Sequence, residues 1–199
     1  MKKEDNFELY QTQVQTNVSF TSFFTAVVIF FVGLLITKFD SYDILIKVPI
    51  ALLIISVFGF LYSTLIFANA SEEASQRRYN KLKKYLFLGD ILSEYLGIYL
   101  LVLSIPLVIN VVTNDIFLRI ITILSSLIGL AIYQFSHFSV LERHFGKANY
   151  LISTLIILFG IILFISQIYN YYFIQVSIAF IVFILLIVCI SYIKLNKNS

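Results

Sequence analysis

Six long apolar runs, separated by short connections that alternate between strongly basic and nearly uncharged, occupy almost the whole of this 199-residue chain. A helix that crosses a bilayer core of about 30 Å needs roughly 20 apolar residues, at about 1.5 Å per residue. Because hydrocarbon offers no water to the backbone, such runs are expected to be α-helices. We place the spans at 19–37, 48–68, 88–112, 116–136, 150–168 and 173–193.

The composition supports a membrane protein over a soluble domain. Hydrophobic residues make up 60% of the chain and charged residues 13%, whereas a soluble domain carries about 45–50% and about 25% respectively. The lone cysteine, Cys189, lies in the last apolar run, so no disulfide within one chain and no cysteine metal cluster can form. The sequence therefore predicts an all-α, polytopic membrane protein with one transmembrane domain over 1–199 and no cofactor.

The distribution of basic residues predicts the orientation of the spans. Eleven of the 14 Lys and Arg residues lie on one side of the predicted bundle and three on the other. The eleven are Lys2, Lys3, Arg77, Arg78, Lys81, Lys83, Lys84, Arg143, Lys147, Lys194 and Lys197; the three are Lys38, Lys47 and Arg119. Basic residues are retained on the cytoplasmic side, so we expect a cell-membrane protein with both termini in the cytoplasm.

Glycine spacing suggests an internal repeat. Gly33, Gly97 and Gly160 fall in the odd-numbered spans at separations of 64 and 63 residues. One interpretation is a bundle of three consecutive helical hairpins derived from one duplicated unit. Pro106, inside span 3, must leave the carbonyl of Val102 without its helical donor and is expected to kink the helix. Such a kink serves as a gate or as a packing adjustment, and we favour packing.

Asp90 and Glu94 are the strongest candidates for a functional site. They lie four residues apart in span 3, on a helical face that also carries Gly97 and Ser104. A carboxylate that faces lipid costs several kcal/mol, so this face is expected to meet other helices or a water-filled cavity. One hypothesis is a cytoplasm-facing ion or proton site. The alternative places both carboxylates at headgroup level, neutralised by Lys83 and Lys84.

Residues 71–87 form the most basic connection. Arg77, Lys81 and Lys84 share one helical face, with Arg78 beside them. This pattern is typical of an in-plane helix that contacts anionic headgroups on the cytoplasmic side, or of an extension of span 3. The same residues could instead bind a protein partner, or act only as a topology determinant.

Two further patterns are weak indications of a metal site or of catalysis. His137, Glu142 and His144 follow span 4, but the HExxH spacing of zinc peptidases is absent. Residues 72–77 read EEASQR, which resembles the EExxxR motif of CAAX-type intramembrane proteases and would imply glutamates at a metal- or water-activating site. The histidine motifs of that family are missing, and we interpret the match as coincidence. We therefore assign no metal site and no catalytic residue, and expect no enzymatic activity.

The sequence is compatible with three functions. The first is permeation or transport of an ion or small solute through the helix bundle, with Asp90 and Glu94 at its site. The second is a non-catalytic membrane subunit or scaffold that binds a cytoplasmic partner through its basic inner loops. An intramembrane enzyme is the least favoured, because no convergent constellation can be assembled. Homo-oligomerisation stays open, and the composition gives no sign of nucleic-acid binding.

Overall fold

The computed structural model describes residues 2–135 and 148–197, and every regular element within these ranges is helical. The α-helices are α1 (Lys2–Thr37), α2 (Lys47–Ser75), α3 (Tyr79–Ile91), α4 (Leu100–Val112), α5 (Ile116–Phe135), α6 (Ala148–Ile168) and α7 (Phe173–Lys197). Two single 3₁₀ turns lie between α1 and α2, and a π-helical segment, Leu92–Tyr99, connects α3 directly to α4. The predicted all-α class is confirmed for the described residues.

Among the described residues, five helical stretches are long and apolar enough to cross a membrane: Tyr10–Thr37, Ile44–Ser75, Tyr79–Val112, Ile116–Tyr133 and Phe173–Lys194. They coincide with five of the six predicted spans. Helix α6 contains a further apolar stretch, Thr154–Ile168. The count of six spans and their orientation therefore stay predictions.

The basic connection at residues 71–87 contains a tight turn between two helices. Helix α2 ends at Ser75, and α3 begins at Tyr79. The amide of Arg78 donates to the carbonyl of Glu73, and that of Arg77 to the carbonyl of Ala74, with φ of Arg77 at 56°. This is the Schellman pattern that ends a helix. The segment is thus not one in-plane helix, and its second half, 79–87, begins the long helix that contains predicted span 3.

Helix α2 lies at the centre of the packing. It contacts α1 on one side and α3, the π-segment and α4 on another. Helix α4 also contacts α5 and α6, and α6 contacts α7. The largest buried cluster joins α2 to the helices that follow it, with Tyr95, Tyr99 and Phe180 among its largest side chains. Two smaller clusters join α1 to the two ends of α2.

The contact between α2 and the α3–π-segment helix depends on small residues. A Cβ atom on Gly59 would lie 2.6 Å from the carbonyl carbon of Leu96 and 2.7 Å from the amide nitrogen of Gly97. Ser56 donates to the carbonyl of Gly97 at 2.9 Å, and Ser63 donates to the carbonyl of Gly89 at 2.6 Å. Small residues at such spacing allow two membrane helices to approach until their backbones touch.

The three glycines of the suggested repeat occupy different environments. Gly97 packs under the ring of Phe60, and Gly160 packs against Leu103, but no atom lies within 4 Å of a Cβ built on Gly33. The three glycines therefore differ in their contacts within the described residues, and the three-hairpin repeat stays a prediction. Helix α4 continues through Pro106, which is buried, in keeping with the packing interpretation of that proline.

Gly59→Ala should lower the free energy of unfolding by about 1–3 kcal/mol, because the new methyl group collides with backbone rather than with a flexible side chain. Gly33→Ala is the matched control and should leave stability unchanged or raise it by up to about 1 kcal/mol, since alanine favours the helix. Thermal unfolding of both purified variants in detergent measures the difference. Equal stability of the two variants would contradict the close contact.

Candidate functional site

The two candidate carboxylates occupy different helical geometries. Asp90 lies in the last turn of α3 and is half-buried, whereas Glu94 lies in the π-segment and is only 1% exposed. In a π-helix, hydrogen bonds run between residues i and i+5, which brings those positions together. Tyr99, five residues after Glu94, donates its hydroxyl to Glu94 Oε1 at 3.4 Å. The π-segment thus gives Glu94 a partner within its own helix.

Both carboxylates line one cavity of about 250 Å³ within the bundle. Helix α1 contributes polar groups to this cavity, and aromatic rings come from α1, α2 and α5. The polar groups are those of Gln13, Asn17 and Thr21, and the rings are those of Phe20, Phe67 and Tyr133. The hypothesis that span 3 presents Asp90 and Glu94 to a cavity agrees with this arrangement.

Polar contacts fix Asp90 to helix α1. Asn17 donates from Nδ2 to Asp90 Oδ1 at 3.3 Å. The hydroxyl of Thr21 donates to the carbonyl of Asn17 at 2.8 Å and accepts from Thr64 of α2 at 2.7 Å. These bonds link three helices around the cavity. The four-residue spacing of Gln13, Asn17 and Thr21, which runs from the polar N-terminal segment into the first apolar run, was the sequence signal that could have identified them.

Three tyrosines surround Glu94. Tyr133 of α5 lines the same cavity as Glu94, and Tyr99 donates to the carboxyl group of Glu94. The rings of Tyr95 and Tyr99 lie 5.5 Å apart, and those of Tyr99 and Tyr133 lie 6.3 Å apart at an edge-to-face angle. Hydroxyl donors stabilise a carboxylate that has lost its water, because an unpaired buried charge is costly. The sequence pattern did not indicate that Tyr133, which lies 39 residues after Glu94, belongs to this site.

The predicted headgroup-contact residues lie at the turn between α2 and α3, and two of them form ion pairs. Arg78 Nη1 lies 3.8 Å from Glu73 Oε2, and Lys81 Nζ lies 4.0 Å from Glu73 Oε1. Arg77 is exposed at the turn, and Lys84 is partly buried one turn after Lys81. Glu73, the second glutamate of the EExxxR match, therefore contacts basic side chains of the turn and of the first turn of α3.

The enzymatic alternative also involves Glu72 and the group of His137, Glu142 and His144. Glu72, the first glutamate of the motif, is exposed and accepts a hydrogen bond from Gln76 at 3.2 Å. His137, Glu142 and His144 lie outside the described residues. Within the described ranges, no group of three His, Cys, Asp or Glu side chains is arranged to hold a metal ion.

A second buried polar contact joins α4 to α6. Asn110 donates from Nδ2 to Gln167 Oε1 at 3.1 Å, and Gln167 donates from Nε2 to the carbonyl of Leu107 at 3.0 Å. Arg119 of α5 donates to the backbone carbonyl of Asn110 at 2.8 Å. The two amide side chains are 57 residues apart in sequence, and their pairing fixes α6 against α4.

The apolar helices indicate a membrane protein, and the polar cavity around Glu94 is its candidate site. The sequence matches no protein-family model, and no curated protein or solved structure shows significant similarity to it.

Gln167→Leu should lower the free energy of unfolding by about 1–2 kcal/mol, because it leaves the buried amide of Asn110 without its acceptor. Gln175→Leu, at an exposed position in α7, is the control and should change stability little. Adding Asn110→Leu to Gln167→Leu should cost less than the sum of the single changes. Additive losses in detergent unfolding would mean that the two amides do not interact.

Proposed function

We propose that this protein is a six-span helical bundle with both termini in the cytoplasm, and that it transports a cation or protons through the site of Asp90 and Glu94. One observation carries the proposal: Glu94 is almost completely buried and, with Asp90, lines a cavity of about 250 Å³. Ionisable residues within membrane spans are expensive and typically mark ion or proton pathways.

The surroundings of the two carboxylates suit reversible cation binding. Tyr99 donates to Glu94 and Asn17 donates to Asp90, and these hydrogen bonds hold both carboxylates in position. Carboxylate oxygens bind hard cations and accept protons, so this pair can supply ligands to a cation or carry a proton. In the proposed orientation the cavity lies in the cytoplasmic half of the bundle.

The packing favours a carrier over a permanently open pore. Leu100, Leu103 and Leu107 of α4 are buried in the main apolar cluster beyond Glu94. A second cavity of about 270 Å³ lies at the other end of the bundle, lined by residues of the 44–48 and 170–175 connections. Transfer between the two cavities requires a conformational change. The π-segment is a suitable place for this conformational change, because π-helical turns within α-helices often occur at functional sites.

A non-catalytic membrane subunit is the second candidate function. Large apolar and aromatic side chains, such as Phe60, Phe67 and Phe180, fill much of the interior and suit a structural role. In this alternative, the turn that carries Arg77, Arg78, Lys81 and Lys84 binds anionic headgroups or a cytoplasmic protein. A second copy of the chain is a further partner compatible with this role.

Glu94→Gln should reduce H⁺, Na⁺ or K⁺ flux into proteoliposomes by roughly tenfold or more, because it removes the buried negative charge. Asp90→Asn should reduce the same flux, and the double variant should abolish it. Glu72→Gln, which removes an exposed carboxylate, is the control and should retain full flux. Variants are compared at equal reconstituted amounts and after size-exclusion chromatography. Undiminished flux in Glu94→Gln, or no flux in the parent protein, would reject transport at this site.

The proposed orientation predicts opposite accessibility for two turns. In a Cys189→Ser background, Asp40→Cys should react with a membrane-impermeant maleimide in intact cells. Gln76→Cys should react only after permeabilisation, because it lies at the basic turn that the charge distribution assigns to the cytoplasm. Both positions are exposed, so lack of reaction reports the membrane rather than burial. Reaction of both positions in intact cells would contradict the topology.

A further inference from the structure

The walls of the cavity combine two kinds of chemistry. Asp90 and Glu94 supply negative charge from one long helix. Phe20, Phe67 and Tyr133 supply aromatic rings from three other helices. Cations are attracted to aromatic faces when they lie within about 6 Å of the ring centre. Carboxylates and aromatic rings together are the groups that recognise an organic ammonium ion.

The size of the cavity defines the class of ligand further. Its volume of about 250 Å³ equals roughly eight water molecules at about 30 Å³ each. Pockets for drug-sized ligands occupy about 300–1,000 Å³. The cavity is thus suited to a small alkylammonium group, whose methyl or methylene carbons can contact the rings while the charge lies near the carboxylates.

The mouth of the cavity is at the side of the bundle. Gln13 is exposed and Phe20 is 43% exposed on α1, whereas Thr21, Phe67 and Glu94 at the cavity wall are buried. A ligand can therefore reach the carboxylates from the surface of the bundle beside α1. In a membrane this surface is accessible both to dissolved amines and to the ammonium headgroups of lipids.

We propose that the cavity binds the ammonium group of a small organic amine, held by Asp90 and Glu94 and enclosed by Phe20, Phe67 and Tyr133. This inference rests on the proposed function and names the class of cation. The ammonium group comes either from a free amine or from an aminophospholipid headgroup, and the experiment below distinguishes the two sources.

The test is titration calorimetry of the full-length protein in detergent with tetramethylammonium chloride and, at equal ionic strength, potassium chloride. Tetramethylammonium should bind at least about fivefold more tightly than potassium, because the weakly hydrated organic ion loses less hydration when it contacts the rings. Phe20→Leu should weaken tetramethylammonium binding about two- to fivefold. Phe23→Leu is the matched control on the same helix, 63% exposed and outside the cavity lining, and should bind as the parent does.

Lipid nanodiscs separate the two sources of the ammonium group. Both discs contain the same fraction of phosphatidylglycerol, so that the surface attraction for cations is equal, and the remainder is phosphatidylethanolamine or a neutral glycolipid without an amine. If the phosphatidylethanolamine discs weaken tetramethylammonium binding, the headgroup occupies the cavity. Equal binding in both discs assigns the site to a free amine. Equal affinity for tetramethylammonium and potassium, or equal behaviour of Phe20→Leu and Phe23→Leu, would overturn the inference. If flux still depends on Glu94 in that case, the proposed function is retained, and the transported species is an inorganic cation or a proton.

Discussion

The close contact between α2 and the helix formed by α3 and the π-segment determines the arrangement of the rest of the structure. The missing side chain of Gly59 lets the backbones touch, and Ser56 and Ser63 hydrogen-bond to carbonyl groups of the opposing helix. In lipid, association depends on such packing and on interhelical hydrogen bonds, because apolar burial gives little driving force. The contact fixes the π-segment, and with it Glu94, relative to the helices packed around α2.

Burial of the Glu94 carboxylate costs free energy, and contacts with surrounding side chains offset part of this cost. Glu94 is taken out of water and accepts a hydrogen bond from Tyr99, while Tyr133 lines the same cavity and Asp90 accepts a hydrogen bond from Asn17 of another helix. An apolar residue at position 94 would avoid the cost of burying a charge. Groups that reduce stability and are nevertheless supported by several partners are typical of functional sites. This energetic cost is the physical basis of the proposed function.

The sequence predicted the helices well and their mutual contacts poorly. Length and hydropathy identified the long helices, and the four-residue spacing of Asp90 and Glu94 led to the cavity. The spacing of Gly33, Gly97 and Gly160 suggested equivalence, but the glycines have different neighbours. Residues 71–87 had the charge pattern of one amphipathic helix, yet a Schellman turn at Arg77 divides them. The periodic spacing of charges does not predict that a helix ends at an arginine with a left-handed backbone conformation.

The sequence by itself determined the all-helical class, because long apolar segments must satisfy their backbone hydrogen bonds internally. Only the tertiary structure decided which polar groups meet. Asn17 reaches Asp90 across 73 residues, and Asn110 reaches Gln167 across 57. Such pairings depend on which helices are neighbours and on their rotation about their axes. In a chain with so many apolar helices, many arrangements bury similar apolar area, so side-chain shape and a few interhelical hydrogen bonds decide among them.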